Sequence, residues 1–258
     1  MEAYVKQNKL AWEHNTYNFW VRQNGPPEER ARLDLQDPRA MIKKYMKYFG
    51  DVTATGIAVV CGSCGKKAVP LAILGAAVTV FDLSEENARY GMETALAAGV
   101  NLDYVVGNVL DIDLWSYGGY FDIVFMEGGI LGYFHDLRKF MNIMHSLLKH
   151  GGRLICSDFH PLNKAVDILG VRRPREEMAD DMEHDYFSTE IEECEMPHAR
   201  FYDEPIRSAY PKMRVRRWTL SEILNAVIGA GFLITGFDEH PAWQNERFPG
   251  EFTLLAEK

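Results

Sequence analysis

An α/β fold with a mostly parallel central sheet is the architecture that this 258-residue sequence predicts, and three observations carry it. Short continuous apolar runs recur, among them Ile57-Ala58-Val59-Val60 and Ala77-Val78-Thr79-Val80-Phe81, as expected of strands buried on both faces. Helical segments alternate with these runs, which implies parallel strands joined by right-handed crossovers. Small and polar residues gather where the runs end: Cys61-Gly62-Ser63-Cys64-Gly65, Asp82, Gly107-Asn108 and Glu127-Gly128-Gly129.

The chain opens on a polar and aromatic segment, about 3–22, with Tyr4, Trp12, Tyr17, Phe19 and Trp20. It is read as helical up to the breaker Asn24-Gly25-Pro26-Pro27. Asp37-Pro38 announces a further helix, an N-cap followed by proline at the first helical position. This helix carries Met41, Ile42, Tyr45, Met46 and Phe49 and stops at Gly50. The first strand, 57–60, leads through the small-residue loop 61–65 to a helix at about 66–74. The second strand ends in Asp82, and Ser84 caps a helix with Glu85 and Glu86 in its first turn and Gly99 at its close. The third strand is 104–106 and the fourth 121–126. A helix with Leu137, Phe140, Met141, Met144 and Leu147 on one face follows, read as continuing through Lys149 and His150 to Gly151. The fifth strand, 153–157, ends at Asp158-Phe159-His160-Pro161.

Residues 162–210 then break the rhythm: they are polar, acidic and Pro-containing, and read as an inserted segment. Within it the acidic run 190–195 reads as a solvated face; beyond it, the basic run Lys212 to Arg217 reads as a strand with one solvated face. Thr219-Leu220-Ser221-Glu222 is a capping box that opens a helix ending near Gly231. Closing strands at 232–237 and 251–256 are joined by a link short enough to make them antiparallel neighbours. One domain accounts for residues 1–258.

The composition narrows the function classes. A net charge of −9 argues against nucleic-acid partners, which draw clustered Lys and Arg. The four cysteines, Cys61, Cys64, Cys156 and Cys194, lack a paired spacing and point to a reducing compartment. Cys61 and Cys64 spell C-x-x-C, yet zinc needs two further ligands and the other cysteines are isolated, so no metal site is expected. No apolar stretch suits a signal peptide or a membrane span. A cytoplasmic protein with a small-molecule partner, bound to neither nucleic acid nor membrane, is the expectation. Its oligomeric state is open.

In open α/β sheets, ligands bind beyond the carboxyl ends of the strands, near the point where strand order reverses. The small residues of loop 61–65 let backbone approach a ligand closely, and Asp82 is placed to accept hydrogen bonds from a ribose diol. A dinucleotide enzyme would want G-x-G-x-x-G, which this loop lacks. The motifs Val59-Val60-Cys61-Gly62-Ser63-Cys64-Gly65, Val80-Phe81-Asp82-Leu83-Ser84, Gly107-Asn108-Val109-Leu110 and Phe121-Asp122-Ile123-Val124 resemble those of small-molecule class I methyltransferases dependent on S-adenosylmethionine. The resemblance covers about residues 50–160 well and the last forty weakly.

That resemblance implies a Rossmann-like, mostly parallel seven-stranded sheet with the last strand antiparallel, and S-adenosylmethionine as cofactor. It implies that Cys61, Gly62, Ser63 and Gly65 face the methionine part. Asp82, with Leu83 beside it, would serve the ribose, and Asn108 and Val109 the adenine. Glu127 and Gly128 would line the outer side. Residues 1–50, with Tyr17 and Trp20, would form a helical lid, and the insert would shape an acceptor pocket. The chain departs from the family at Val59, where an acidic residue is usual, at Cys61 and Ser63, where glycines are usual, and at Asn108, where Asp is usual.

Methyl transfer is an in-line displacement helped by positioning, and a base is needed only where the acceptor must lose a proton. His160 is the first candidate, with His135 and Glu127 second. Each of these residues has a plain reading as well: a turn or cap for Asp82, Asn108 and Glu127, an ordinary loop position for His160, core packing for Tyr17 and Trp20. The alternatives to methyl transfer are a module that holds the cofactor or its demethylated product without turnover, and a nicotinamide-dependent oxidoreductase.

Overall fold

The computed structural model describes residues 2–162, 185–243 and 245–258, so much of the expected insert, 163–184, lies outside the described residues. The N-terminal part is helical: α1 (Ala3–Glu13), α2 (Thr16–Asn24), α3 (Pro27–Gln36) and, after a 3-10 turn at Ala40–Tyr45, α4 (Met46–Phe49). The alternating region follows as β1 (Gly56–Val60), α5 (Ala68–Ile73), β2 (Ala77–Asp82), α6 (Glu85–Ala97), β3 (Asp103–Val106), α7 (Leu114–Tyr117), β4 (Phe121–Glu127), α8 (Leu137–Leu147) and β5 (Leu148–Phe159). Beyond it come β6 (Ile191–Cys194), α9 (Ile206–Ala209), β7 (Met213–Arg216), α10 (Leu220–Gly229), β8 (Leu233–Ala242) and β9 (Asn245–Glu257).

Seven strands form one sheet in the order β3-β2-β1-β4-β5-β9-β8. Strands β1 to β5 pair in parallel, and β9 inserts antiparallel between β5 and β8. This is the Rossmann-like class I arrangement. Strand order reverses between β1 and β4, which makes their carboxyl ends the natural crevice.

Alternation along each strand explains the continuous apolar runs. Ala58, Val60, Val124 and Met126 join the core on one face of the sheet, under Phe140, Met144 and Leu147 of α8 and Ile223 and Val227 of α10. Ile57, Val59, Ile123 and Phe125 join the core on the other face, with Ile42, Tyr45, Phe49 and Leu71. Both faces are covered, which is why the central strands run nearly continuously apolar.

Several expectations change at the element level. The single helix expected at 3–22 is two helices, because Asn15 takes a left-handed conformation (φ 55°) that Asn tolerates better than most residues. The proline breaker also starts a helix: Pro27 stands at the first position of α3, with Glu28 and Glu29 in its first turn. The helix expected from Pro38 is mostly the 3-10 turn. Lys149 and His150 belong to β5 rather than to α8, since Gly119 and Tyr120 donate their N–H groups to the carbonyls of Ser146 and Leu147. The acidic run is not merely solvated. It contains β6, which pairs antiparallel with the basic β7, and Glu192 meets Arg217 at 2.6 Å. The capping box at Thr219 and Glu222 is present with both reciprocal bonds. Among the described residues no helix is long and apolar enough to cross a membrane.

Candidate functional site

The turn after β1 is held in unusual backbone. Cys61 (φ 52°), Ser63 (φ 50°) and Gly65 (φ 75°) all adopt positive φ, so two non-glycine residues occupy the conformation that glycine favours. Gly62 is required for another reason. A Cβ there would stand 2.7 Å from Val80 Cγ1 and 2.9 Å from Val59 Cγ1, so only glycine lets the turn settle on the sheet. The helix beyond begins at Ala68, two residues later than the sequence suggests, and runs only to Ile73.

Asp82 organises this turn. Its Oδ2 accepts the Ser63 N–H at 2.9 Å, and its Oδ1 accepts from the Ser84 N–H and from Asn87 Nδ2, each at 3.0 Å. A carboxylate offers about four acceptor positions, so roughly one remains for a ligand. Burial raises the Asp82 pKa, and the donated hydrogen bonds oppose that shift. The Ser63 peptide is gripped from its other side by the Tyr104 hydroxyl, which donates to the Ser63 carbonyl. The Ser63 hydroxyl itself is buried without a partner.

A cavity of about 570 Å³ lies over these strand ends, within the roughly 300–1,000 Å³ typical of small-molecule sites. Its floor includes Cys61, Gly62, Ser63, Asp82, Leu83, Asn108, Val109, Glu127 and Gly128. Its other walls are largely aromatic, with Tyr4, Trp12, Phe19 and Trp20 from α1 and α2 facing Tyr133, Phe134 and Phe159. Trp20 Nε1 donates to Asn87 Oδ1 at 2.7 Å, which joins the helical cover to the Asp82 cluster. The Trp12 carbonyl accepts from the Ser84 hydroxyl at 3.1 Å.

Two other expected site residues carry local duties on the floor, and Lys67, which was not expected there, carries a third. Asn108 accepts the Leu110 N–H and donates to Asp111, holding the turn after β3 while lining the cavity. Glu127 Oε2 accepts from the Tyr45 hydroxyl at 3.1 Å. Lys67, also on the cavity, donates to the Met41 carbonyl at 2.8 Å, and burial holds its pKa below the usual lysine value.

Four of the expected residues do not reach the cavity wall. Gly65 turns the chain behind it, where an added Cβ would crowd Gly91 of α6 at 3.3 Å. Tyr17 points to α6 instead, its hydroxyl on Glu93 and Arg89 4.0 Å above its ring. His160 is spent at the end of β5: its Nδ1 accepts the Leu162 N–H at 3.1 Å, and its Nε2 lies 3.0 Å from Glu239. His135 stacks on Tyr4 with ring centroids 3.7 Å apart, and it is Tyr4 that lines the cavity. Burial lowers the pKa of both histidines. For Tyr17, His160 and His135 the reason is common: a side chain in a loop, at a strand end or on an N-terminal helix can point to either side, and neighbouring elements choose the side.

The sequence reading missed Tyr4, Asn8 and Trp12, which line the cavity at i, i+4 and i+8 of α1, a spacing that marks one helix face. It also missed His198 and Arg200, from the part of the insert that folds against α2, where no periodic signal exists.

Residues 57–152 match the model of a family described as a methyltransferase domain. Two curated relatives, both named ubiquinone biosynthesis O-methyltransferase, come from Xanthomonas euvesicatoria pv. vesicatoria and Xanthomonas axonopodis pv. citri. Each is 32% identical over 112 residues, 43% of this chain, and the chain spans about half (46%) of the length of these relatives. Among solved structures, an S-adenosylmethionine dependent methyltransferase from Mesorhizobium loti is similar with a TM-score of 0.60 and 18% identity, over 87% of this chain and 100% of that one. Magnesium protoporphyrin IX methyltransferase from Synechocystis PCC 6803, with bound SAH, is similar with a TM-score of 0.61 and 16% identity, over 98% and 99%. At these identities the structural likenesses show the fold.

Proposed function

We propose that this chain, whose residues 57–152 match a methyltransferase-domain model, is a class I S-adenosylmethionine-dependent methyltransferase that transfers a methyl group to a small-molecule acceptor. The observation that carries this reading is a single cavity that runs from the Asp82-bound turn to an aromatic wall, room for a nucleoside cofactor and an acceptor side by side. The residues fit the cofactor on two counts. The unpartnered buried Ser63 hydroxyl offers a hydrogen bond at the turn, and Asp82 keeps an acceptor position for a ribose hydroxyl. Asn108 and Val109 would hold the adenine, and Leu83, Glu127 and Gly128 the rest of the cofactor's outline.

When bound, S-adenosylmethionine supplies an electrophilic methyl group on a sulfonium. The chain's own part is to align an acceptor with that group and to keep water out, which the aromatic cover of α1 and α2 serves. Residues 1–50 are thus proposed as a lid, and the segment after β5 as the acceptor-side wall, within one domain. Of the three proposed proton acceptors, Glu127 lines the cavity, so it is the candidate base where the acceptor must lose a proton. An oxygen acceptor is favoured by the name of the Xanthomonas relatives. Burial pushes the Cys64 thiol up to about 12, so it stays protonated and unreactive, and the proposed setting is reducing and cytoplasmic.

Calorimetric titration with S-adenosylmethionine, S-adenosylhomocysteine and a nicotinamide dinucleotide tests the reading. Micromolar binding of the two sulfur nucleosides and none of the dinucleotide is the expected result. Failure of both sulfur nucleosides to bind would overturn it.

A further inference from the structure

His198 is the least explained polar group on the cavity. It is 3% exposed, it lines the cavity, and its Nδ1 has no hydrogen-bond partner. Its ring is clamped by three others: Phe19 stacks on it with centroids 3.6 Å apart and planes 16° apart, and Trp12 and Trp20 meet it edge-on at 5.2 and 4.9 Å. Nothing in that packing uses a ring nitrogen. Burial, reinforced by Arg200, pushes its pKa down to about 3, so the imidazole is neutral at physiological pH. A neutral imidazole presents one donor and one acceptor nitrogen, and an unpartnered buried nitrogen is a standing cost that a ligand can remove.

We propose that His198 reads the acceptor, its imidazole hydrogen-bonding a hydroxyl group on a flat aromatic molecule held against the cavity's aromatic wall. This rests on the methyl-transfer reading above and names the acceptor class for it: phenolic. Tyr133, Phe134, Phe159 and Phe201 extend the wall, so a planar ring finds stacking partners along it. A hydroxyl both donates and accepts, and so satisfies Nδ1 in either tautomer. The role is recognition rather than proton removal, because so weakly basic an imidazole holds a proton poorly.

The test compares p-cresol with p-xylene, two rings of one shape that differ by the hydroxyl. Binding is followed by the fluorescence of Trp12 and Trp20, with and without S-adenosylhomocysteine. The wild-type protein is expected to prefer p-cresol by about tenfold, the scale of one hydrogen bond at a buried group. His198→Phe keeps the stacked ring and should abolish the preference, while leaving S-adenosylhomocysteine affinity unchanged. His198→Asn, whose amide falls near the Nδ1 position, should retain part of it. Should His198→Phe fail to fold, the imidazole 15N resonance of Nδ1 in the wild-type protein decides: p-cresol should shift it and p-xylene should not. No preference in the wild type, a preference that survives His198→Phe, or an unmoved Nδ1 resonance would overturn the proposal. Failure of the wild type to bind S-adenosylhomocysteine would instead sink methyl transfer, and the p-cresol result would stand apart from it.

Discussion

The Asp82 carboxylate accepts the Ser63 N–H at 2.9 Å and so ties the end of β2 to the left-handed turn that follows β1. The same carboxylate takes two further hydrogen bonds, from Ser84 and Asn87. Asp82 is therefore part of the scaffold before it is part of any ligand site, and the two roles need to be separated experimentally.

Asp82→Asn keeps the size of the side chain but replaces one acceptor oxygen with a donor. It should lose at least one of the three hydrogen bonds and cost about 2–3 kcal/mol. For a chain of this length that lowers Tm by roughly 4–12 °C. S-adenosylhomocysteine affinity should fall with it. Calorimetric unfolding beside ligand titration checks both, and a loss of affinity with unchanged Tm would show that Asp82 acts on the ligand alone.

Ser63 combines a positive φ with an unpartnered buried hydroxyl. Ser63→Gly removes both burdens, against a smaller loss from a more flexible unfolded chain, and should stabilise the protein without ligand by about 1 kcal/mol. Ser63→Ala keeps the strained backbone and should gain less. Denaturant titration of the pair isolates the backbone contribution. The glycine variant should bind S-adenosylhomocysteine more weakly, since the hydroxyl is gone.

Trp20 and Tyr17 stand on the same helix with opposite duties. Trp20→Phe removes the 2.7 Å bond to Asn87 at the cavity and should weaken S-adenosylhomocysteine binding by about tenfold. Tyr17→Phe removes a hydroxyl that engages Glu93 on α6 and should leave that affinity within about twofold. Equal effects of the two substitutions would mean that α2 acts as one unit.

Asp158, at the end of β5, accepts the Leu131 and Phe159 N–H groups in a buried position, and burial pushes its pKa up to about 7. A carboxyl that binds its proton more tightly when folded stabilises the protein most below its unfolded pKa, and the gain disappears as pH rises through about 7. Asp158→Asn resembles the protonated form and lacks this titration. The stability of the wild type relative to the variant should fall between about pH 4 and 7, by up to about 1.4 kcal/mol per pH unit, and then level off. Paired urea titrations across that range would reveal it. A constant difference would show that Asp158 remains ionised in the folded protein.

Much of this architecture is legible without coordinates. Strands buried on both faces must be continuously apolar, so Ile57 to Val60 and Ala77 to Phe81 announce themselves. Caps are equally local: Ser84 accepts from Asn87, and Thr219 and Glu222 close their box, where the sequence puts them. The floor of the cavity was legible for the same reason, because strand ends in a parallel sheet share one edge. The helical cover from α1 and α2 was legible only in part. A single left-handed residue, Asn15, resets the helical phase, and with it goes the knowledge of which aromatic faces inward.

The sequence by itself determined the sheet, its parallel hand and the edge where a ligand would sit, because each follows from the burial pattern of a few consecutive residues. Only the tertiary structure decided which side chains meet there. His160 is drawn to Glu239 of β8, and Tyr17 to Glu93 of α6, by partners on other segments. His198 reaches the cavity because Met196, Ala199 and Tyr210 pack with Ala11 of α1. Side-chain direction at a strand end or in a loop is set by whatever packs against it, and that is a property of the assembled chain.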